Sequence, residues 1–241
     1  MKRKALLVMA KRPYPGRTKT RLAPMFSAEE ASAMYRYFLL DALDKARSVA
    51  GVTPFIAFTP PDEETEQYFS KLAPDFHLLP QKGDTLGDRL DNVLTSCLNN
   101  GYDQVAAMNS DSPSLPAAFL AEAFEKLDDP AVDVVLGPCD DGGYYLIGWK
   151  RPWPRLVRAV QMSTDHVLRD TLAIAEKELV RVSLLPSWYD VDETDDLLRL
   201  QAGLSSGQEK AEHTGRFLSG VNNLTDLKPN FEPGIEYSGQ V

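Results

Sequence analysis

The sequence predicts an α/β protein built around a mostly parallel β-sheet. Short apolar runs alternate with longer segments of helical periodicity, and from Leu6 to Leu79 they give the order βαβαβ. Strands connected in this way are joined by right-handed crossovers, and ligands bind beyond their carboxyl ends. The 241 residues, of which 43% are hydrophobic, suffice for one domain with a large buried core.

The first half of the chain is expected to supply three strands, each followed by a helix. The strands are residues 6–10, 54–59 and 76–79, and the helices end near residues 48, 72 and 98. Ser27 and Glu30 fit a capping box at the start of the first helix, and Thr85 and Asp88 fit one at the start of the third.

The second half is expected to add four strands and then a polar segment. The strands are residues 104–109, 133–138, 144–148 and 179–185, with helices after Pro116 and from Ser163. The run 144–148 follows a pair of glycines and is expected to double back. From about Leu204 the chain is polar and rich in Gly, Ser, Asn and Pro. We therefore expect a domain over residues 1–203 and a polar tail or arm over residues 204–241, outside the core.

Composition and charge narrow the class of protein. A net charge of -9 argues against a nucleic-acid binder. The apolar run after Lys4 is too short for a secretory signal, and no run approaches the length of a membrane span. Cys97 and Cys139 lack a C-x-x-C pattern and are expected to be buried thiols. The protein is therefore expected to be cytoplasmic, and the sequence leaves its oligomeric state open.

The loop after the first strand is the strongest candidate for a ligand site. Residues 11–21 contain five cations, namely Lys11, Arg12, Arg17, Lys19 and Arg21, around a turn that contains Gly16. Arginine and lysine bind phosphate oxygens, so we interpret the segment as a phosphate-binding loop, the alternative being a solvated basic loop. Neither G-x-x-x-x-G-K-[ST] nor G-x-G-x-x-G is present.

Acidic residues follow two of the later strands. Asp111 comes after strand 104–109, and a carboxylate there suits a hard divalent cation such as Mg²⁺ or Mn²⁺. The ordinary alternative is a turn or N-cap aspartate. Five acids also lie in residues 190–196, at the start of a helix. They either favour the positive end of that helix or complete a metal site with Asp111.

Two loops that contain glycine complete the candidates. Gly87 and Arg89 lie near a predicted helix N-terminus, which can bind an anion or a base, although capping alone also explains this loop. In residues 139–148 two adjacent acids precede Gly142 and Gly143. Adjacent carboxylates are costly unless a cationic or reactive group lies nearby, and a plain acidic turn is the alternative.

Five motifs in this order resemble a family of bacterial glycosyltransferase-like proteins, the nucleotide-diphospho-sugar transferases of unknown substrate. The motifs are residues 11–22, 83–89, 110–113, 141–148 and 190–192, and the resemblance covers about residues 5–200. It implies a three-layer, Rossmann-like GT-A fold with a mostly parallel mixed sheet. The layout is also similar to that of phospholactate guanylyltransferases and of molybdenum-cofactor cytidylyl and guanylyl transferases.

The resemblance implies metal-dependent transfer from a nucleotide-diphosphate-activated donor, with a sugar as the expected group, to a small acceptor. Asp111 resembles the metal-binding carboxylate of a D-x-D motif, reduced here to Ser-Asp-Ser, and Asp192 is the candidate second ligand. Lys19 and Arg21 would assist as charge builds on the leaving group. Asp141 would face the acceptor as general base or anchor. The residues expected to bind nucleotide or substrate are Ala10, Lys11, Gly16, Lys19, Arg21, Gly87, Arg89, Gly142, Gly143 and Tyr144.

Two further functions fit the same residues. A nucleotidyltransferase would join a nucleoside triphosphate to a phosphorylated acceptor and release pyrophosphate, with the same cations and metal. A non-catalytic nucleotide-binding protein would bind without turnover, which the reduced D-x-D motif makes plausible.

Overall fold

The computed structural model describes residues 2–23 and 25–220, and it contains one mixed sheet flanked by helices. The strands are β1 (Lys4–Lys11), β2 (Val52–Thr59), β3 (His77–Pro80), β4 (Gln104–Met108), β5 (Val134–Pro138), β6 (Tyr144–Trp149) and β7 (Val182–Leu184). The helices are α1 (Ala28–Ser48), α2 (Glu63–Leu72), α3 (Leu86–Asn99), α4 (Ala117–Asp128), α5 (Arg155–Arg158), α6 (Val167–Lys177), α7 (Thr194–Ser205) and α8 (Glu212–Gly220). A short 3₁₀ turn covers Thr20–Leu22.

The sheet has the order β3-β2-β1-β4-β6-β5-β7. Only β6 runs antiparallel to its neighbours, so the predicted mostly parallel mixed sheet is confirmed. From β1 the chain moves outward through β2 and β3, then returns to the other side of β1 with β4. This reversal makes the carboxyl ends of β1 and β4 the switch point at which such sheets bind ligands.

Two apolar layers, one on each face of the sheet, give the predicted three-layer arrangement. Leu6 and Val8 of β1 pack with α1, α4 and α7 on one face. Ala5 and Leu7, which alternate with them, pack with α3, α5 and α6 on the other. All four side chains are fully buried, which places β1 at the centre of the core.

Local sequence signals place most element boundaries correctly. Both capping boxes are present, with Ser27 and Glu30 closing the start of α1 and Thr85 and Asp88 the start of α3. The last strand is shorter than the predicted 179–185, because Leu179 has a positive φ of 57° that ends extended pairing. The helix expected from Ser163 begins instead at Val167, since Ser163 also has a positive φ, of 64°.

The prediction of a tail outside the core from residue 204 is wrong for residues 212–220. These residues form α8, which packs on α1 and buries Thr214 and Leu218. Asp41 of α1 accepts hydrogen bonds from the backbone N–H groups of His213 and Thr214, at 3.0 and 2.9 Å. The remainder of the predicted tail, residues 221–241, lies outside the described residues.

No helix within residues 2–23 and 25–220 combines the length and apolar character needed to cross a membrane.

Candidate active site

A cleft of about 240 Å³ opens at the carboxyl ends of β1 and β4, the switch point of the sheet. It contains five of the residues predicted for the site, namely Lys11, Lys19, Arg21, Asp111 and Asp192. Arg17, Thr18, Thr20 and Tyr35 complete its lining. The basic loop and the two predicted metal ligands therefore share one cleft.

The basic loop is held in place by its own backbone. Arg17 N–H donates to the carbonyl of Tyr14 at 3.1 Å, closing a turn in which Gly16 has a φ of 72°. Proline followed by glycine at the centre of a turn is the pattern that favours type II, which requires a positive φ at the glycine. Lys11 Nζ donates to the carbonyl of Arg17 at 2.8 Å, and Thr18 Oγ1 to that of Tyr14 at 2.9 Å.

Lys19 does not point into solvent as a free cation. Its Nζ lies 2.5 Å from Asp111 Oδ1 and 2.7 Å from Asp192 Oδ1, and donates to the carbonyl of Val191 at 2.8 Å. The lysine side chain is 4% exposed, whereas those of Asp111 and Asp192 are 37% and 46% exposed. The buried ammonium therefore bridges the two carboxylates, and both aspartate side chains stay partly exposed in the cleft.

The electrostatics of this cluster keep Lys19 charged. Burial lowers the pKa of Lys19, but the charges and hydrogen bonds of Asp111 and Asp192 outweigh burial and raise that pKa above its usual value. The backbone of Lys19 is left-handed, at φ 49° and ψ 40°, a conformation that costs a residue other than glycine about 1–3 kcal/mol. Strain of this kind persists where the surrounding contacts fix it, and here two ion pairs do so.

Tyr35 connects the ends of β1 and β4 beneath the cleft. Its hydroxyl accepts from Lys11 N–H at 3.1 Å and lies 2.8 Å from Ser110 Oγ, which donates to the carbonyl of Met9 at 3.0 Å. Burial raises the pKa of Tyr35 above its usual value, with the charge of Asp111 adding to the effect. The tyrosine thus remains a neutral group that fixes the spacing of the two strands.

Asp190 is a half-buried carboxylate that the sequence analysis did not single out. One of its oxygens, Oδ1, accepts from Asn109 Nδ2 at 2.7 Å, Ser112 Oγ at 2.5 Å and Cys139 Sγ at 3.3 Å. Burial raises the pKa of Asp190 to about 6, and the nearby charge of Asp111 acts in the same direction. The signal available in the sequence was its position at the start of the acidic run, two residues before Asp192.

The donor set at the cleft suits a divalent cation only in part. Mg²⁺ usually takes one or two carboxylates and completes its shell with water and substrate phosphates. Asp111 and Asp192 can supply that pair, although Lys19 already bonds one oxygen of each. Among the described residues no group of three or more His, Cys, Asp or Glu side chains is placed to hold a metal. The site therefore fits a cation that shares its shell with a phosphate-bearing ligand.

The other predicted binding residues in β1 and the loop after it differ in their exposure. Arg21 is 70% exposed at the rim, 3.7 Å from Glu193 Oε1. Arg17 is also exposed and lines the cleft. Ala10 is buried in β1, and its carbonyl lies 3.5 Å from Gln81 Nε2. The two arginines are thus exposed cations at the cleft, as is Lys11, whose ammonium is bonded to the carbonyl of Arg17.

Gly87 and Arg89 lie in the first turn of α3, whereas the sequence analysis assigned them to a loop before that helix. A Cβ atom on Gly87 would lie 2.1 Å from the backbone oxygen of Val157, so glycine is needed there for the close approach of α5. Arg89 Nε donates to the carbonyl of Gly83 at 3.0 Å and so holds the turn before α3. Neither residue lines the cleft around Lys19.

The β5–β6 turn places Asp141 at the same edge of the sheet. Met108 at the end of β4 pairs with Leu146, so the start of β6 lies beside the carboxyl end of β4. Asp141 is exposed and accepts from Gly143 N–H at 2.9 Å, while Gly142, with φ 86°, approaches the backbone of Asp165. Tyr144 OH lies 3.9 Å from Met162 Sδ. These residues are near the site but outside the cleft lining.

Comparison with solved structures assigns the fold. The chain superimposes on a structure described as a putative nucleotide-diphospho-sugar transferase from Desulfovibrio desulfuricans G20 with a TM-score of 0.85 and 29% identity, covering 93% of this chain and 97% of that one. CMP:2-keto-3-deoxy-manno-octonic acid synthetase complexed with CTP matches at TM-score 0.56 and 14% identity, over 85% of this chain and 99% of that one. A 4-diphosphocytidyl-2C-methyl-D-erythritol synthase matches with a TM-score of 0.54 and 15% identity, over 85% of this chain and 99% of that one.

The class that these matches define is the nucleotide-diphospho-sugar transferase fold, as the motifs implied. No curated protein matches the chain. A family model described as "Uncharacterized protein conserved in bacteria (DUF2064)" matches residues 42–164, and the chain belongs to that family.

Proposed function

We propose that this protein is a transferase that moves a sugar from a nucleotide-diphosphate-activated donor to a small acceptor. The observation that carries the proposal is the cleft at the β1/β4 switch point, where a basic loop faces two carboxylates joined by Lys19. The similarity to a structure described as a nucleotide-diphospho-sugar transferase supports it. The sequence motifs and the fold thus favour the same class of substrate.

The charges in the cleft favour a phosphate-bearing ligand. Lys11, Arg17 and Arg21 all line the cleft, and none of them lies within the Lys19 cluster. In our proposal Arg17 and Arg21 bind the diphosphate, since a guanidinium can donate two parallel hydrogen bonds to phosphate oxygens. Arg21 is also placed to offset charge that builds on the leaving group.

Asp111 and Asp192 would hold a divalent cation, Mg²⁺ or Mn²⁺, together with the phosphate-bearing ligand. Bound there, the cation would neutralise charge on the diphosphate leaving group. With Lys19 included, the cluster of Lys19, Asp111 and Asp192 carries one more negative than positive charge, so an added cation would offset the local repulsion between these carboxylates and a phosphate bound beside them. This imbalance is the reason to expect metal dependence.

The turn between β5 and β6 would meet the acceptor. Asp141 is exposed there and is the candidate general base or anchor, with Gly142 and Gly143 letting the backbone approach a ligand. The nucleotide would lie along the end of β1, near Ala10. We retain Arg89 as a candidate only for holding the adjoining turn, because its guanidinium is bonded to Gly83.

Nucleotidyl transfer is the second candidate, and the number of cations favours it. Three positive side chains outside the Lys19 cluster line one small cleft, and a nucleoside triphosphate carries more negative charge than a sugar diphosphate. In that reaction the bond broken would lie between two phosphates, and pyrophosphate would be released.

A thermal-shift screen with Mn²⁺, followed by analysis of products, tests these proposals. Nucleoside diphosphates, their sugar conjugates and nucleoside triphosphates are compared, since a ligand present at ~100 Kd stabilises the folded state by about 2.7 kcal/mol. Release of a nucleoside diphosphate supports glycosyl transfer, and release of pyrophosphate supports nucleotidyl transfer. Binding without either product would leave a non-catalytic nucleotide-binding protein.

Variants of the arginines test the site itself. Arg21→Ala and Arg17→Ala are each expected to weaken nucleotide binding by about ten- to a hundredfold, because each removes a charged hydrogen bond worth about 1.5–3 kcal/mol. Arg36→Ala is the matched control, because Arg36 is an exposed cation on α1 outside the cleft. Equal affinity in all three variants would refute the assignment.

A further inference from the structure

The two carboxylates expected to bind a cation are already joined by one that belongs to the chain. Lys19 Nζ lies 2.5 Å from Asp111 Oδ1 and 2.7 Å from Asp192 Oδ1, so it forms a close ion pair with each carboxylate. A third hydrogen bond, to the carbonyl of Val191 at 2.8 Å, uses the remaining ammonium donor. The ammonium is thus fully bonded with no ligand present.

The Lys19 ammonium cannot leave the two carboxylates at low cost in free energy. Its side chain is 4% exposed, and its Nζ lies 5.4 Å from the ring of Phe38 and 6.0 Å from that of Tyr35. An ammonium that leaves the two carboxylates while still buried needs another anion, since an unpaired buried charge costs several kcal/mol. The nearest open space is the cleft itself, which Lys19 lines and in which phosphates are proposed to bind.

We propose that Lys19 acts as an internal cation that blocks free divalent metal from Asp111 and Asp192, and releases them only when a phosphate-bearing ligand accepts its ammonium. Metal and phosphate would therefore bind together, each favouring the other. The part of this inference that concerns phosphate rests on the proposed function. The part that concerns competition between Lys19 and metal does not.

The expected size of the effect follows from the fraction of molecules in which Lys19 is detached. The apparent affinity of a ligand falls by the fraction of the protein that is competent to bind it. If Lys19 is detached in about one molecule in ten or fewer, removing its charge should raise the affinity for metal by at least about tenfold, or about 1.4 kcal/mol. Linkage requires that phosphate and metal raise each other's affinity by the same factor.

The experiment measures Mn²⁺ binding by equilibrium dialysis with wild type and Lys19→Met, first with metal alone. Lys19→Met keeps the length and apolar stem of the side chain and removes only the ammonium. We expect Lys19→Met to bind Mn²⁺ at least about tenfold more tightly than wild type. Arg21→Met is the matched control, because Arg21 is a cation in the same loop that does not touch Asp111 or Asp192. Arg21→Met should change the affinity for Mn²⁺ far less than Lys19→Met does.

The second measurement repeats the titration with inorganic pyrophosphate as the probe, corrected for the Mn²⁺–pyrophosphate complex in the protein-free compartment. Pyrophosphate should strengthen Mn²⁺ binding to wild type and have a much smaller effect on Lys19→Met. If Lys19→Met does not fold, Lys19→Gln replaces it with the same expected direction.

Equal Mn²⁺ affinity in wild type and the Lys19 variant would overturn the inference, and so would a gain just as large in Arg21→Met. A protein that shows the competition but transfers no group from any nucleotide-activated donor would keep the inference and lose the proposed function. The two proposals can therefore fail separately.

Discussion

Asp41 of α1 holds α8 on the body of the protein, and its replacement by alanine tests that attachment. The carboxylate is 3% exposed and accepts from the N–H groups of His213 and Thr214 and from Thr214 Oγ1, at 3.0, 2.9 and 2.6 Å. It therefore serves the first turn of α8 as a side-chain cap would, from a different helix.

The stability lost on Asp41→Ala comes from the hydrogen-bond donors of His213 and Thr214, which are left without an acceptor. Removing an N-cap acceptor costs about 0.5–2 kcal/mol, and each buried donor left without a partner costs about 1–3 kcal/mol. Because α8 can partly detach and let water reach its N–H groups, these terms do not add fully. We expect the free energy of unfolding to fall by about 2–4 kcal/mol.

Urea denaturation followed by circular dichroism measures this loss, and Asp44→Ala provides the matched control. Asp44 lies on the same helix and contacts His213 Nε2 at 2.8 Å, but its side chain is 54% exposed. Exposed pairs of this kind contribute about 0–1 kcal/mol, so Asp44→Ala should have little effect. If the two variants lose equal stability, or if Asp41→Ala loses less than about 0.5 kcal/mol, the capping argument is wrong.

Three further predictions concern the site and the sheet. Gly142→Ala should lower the free energy of unfolding by about 1–3 kcal/mol, because Gly142 has a φ of 86° and a Cβ there would lie 2.1 Å from the backbone oxygen of Asp165. Gly16→Ala is the control and should lose less stability, because Gly16 has a φ of 72° but open space around its Cα. Thermal unfolding measures both variants, and the reverse order would count against this explanation. Tyr35→Phe should cost about 1–3 kcal/mol in urea, since Lys11 N–H loses its acceptor, and an unchanged midpoint would refute the bridging role. Hydrogen bonds from Arg181 lower the pKa of Asp133 from 3.8 to about 2, so this pair stabilises the fold above pH 3.8 and is lost as the pH falls through about 2. The stability advantage of wild type over Asp133→Asn should therefore shrink between pH 4 and pH 2, by about 2 kcal/mol at most, and a constant difference would contradict the assignment.

The fold was predictable where the signal is local. The capping boxes of Ser27 and Thr85 lie within four residues, and the apolar pattern of β1 shows in a single run. The motifs also gave the correct fold, because they stand where strands end. In contrast, α8 was missed because its stability depends on Asp41, 173 residues earlier in the chain than Thr214. Nothing within residues 204–220 reveals that partner.

The candidate site was predictable in membership but not in arrangement. The sequence analysis placed Lys19 with Asp111 and Asp192 in one site, and they do share a cleft. It assigned Lys19 to the ligand and the aspartates to a metal, whereas the structure bonds Lys19 to the aspartates. Charge type and spacing cannot show which of several nearby anions a buried lysine meets. Gly87 was expected to bind nucleotide, and no sequence signal indicated that the backbone of α5 requires a glycine there.

The position of β1 inside the sheet, between β2 and β4, has a consequence for synthesis on the ribosome. The strand is made before both of its neighbours, β2 and β4, and the carboxylates that neutralise Lys19 come from beyond Met108 and beyond Leu184. Chains emerge from the amino terminus at about 5–20 residues per second, so the nascent basic loop spends many seconds without its internal counter-charges. During that interval Lys19 lacks at least one of the two carboxylates that neutralise it in the folded protein, and the pair is complete only once residue 192 has been made.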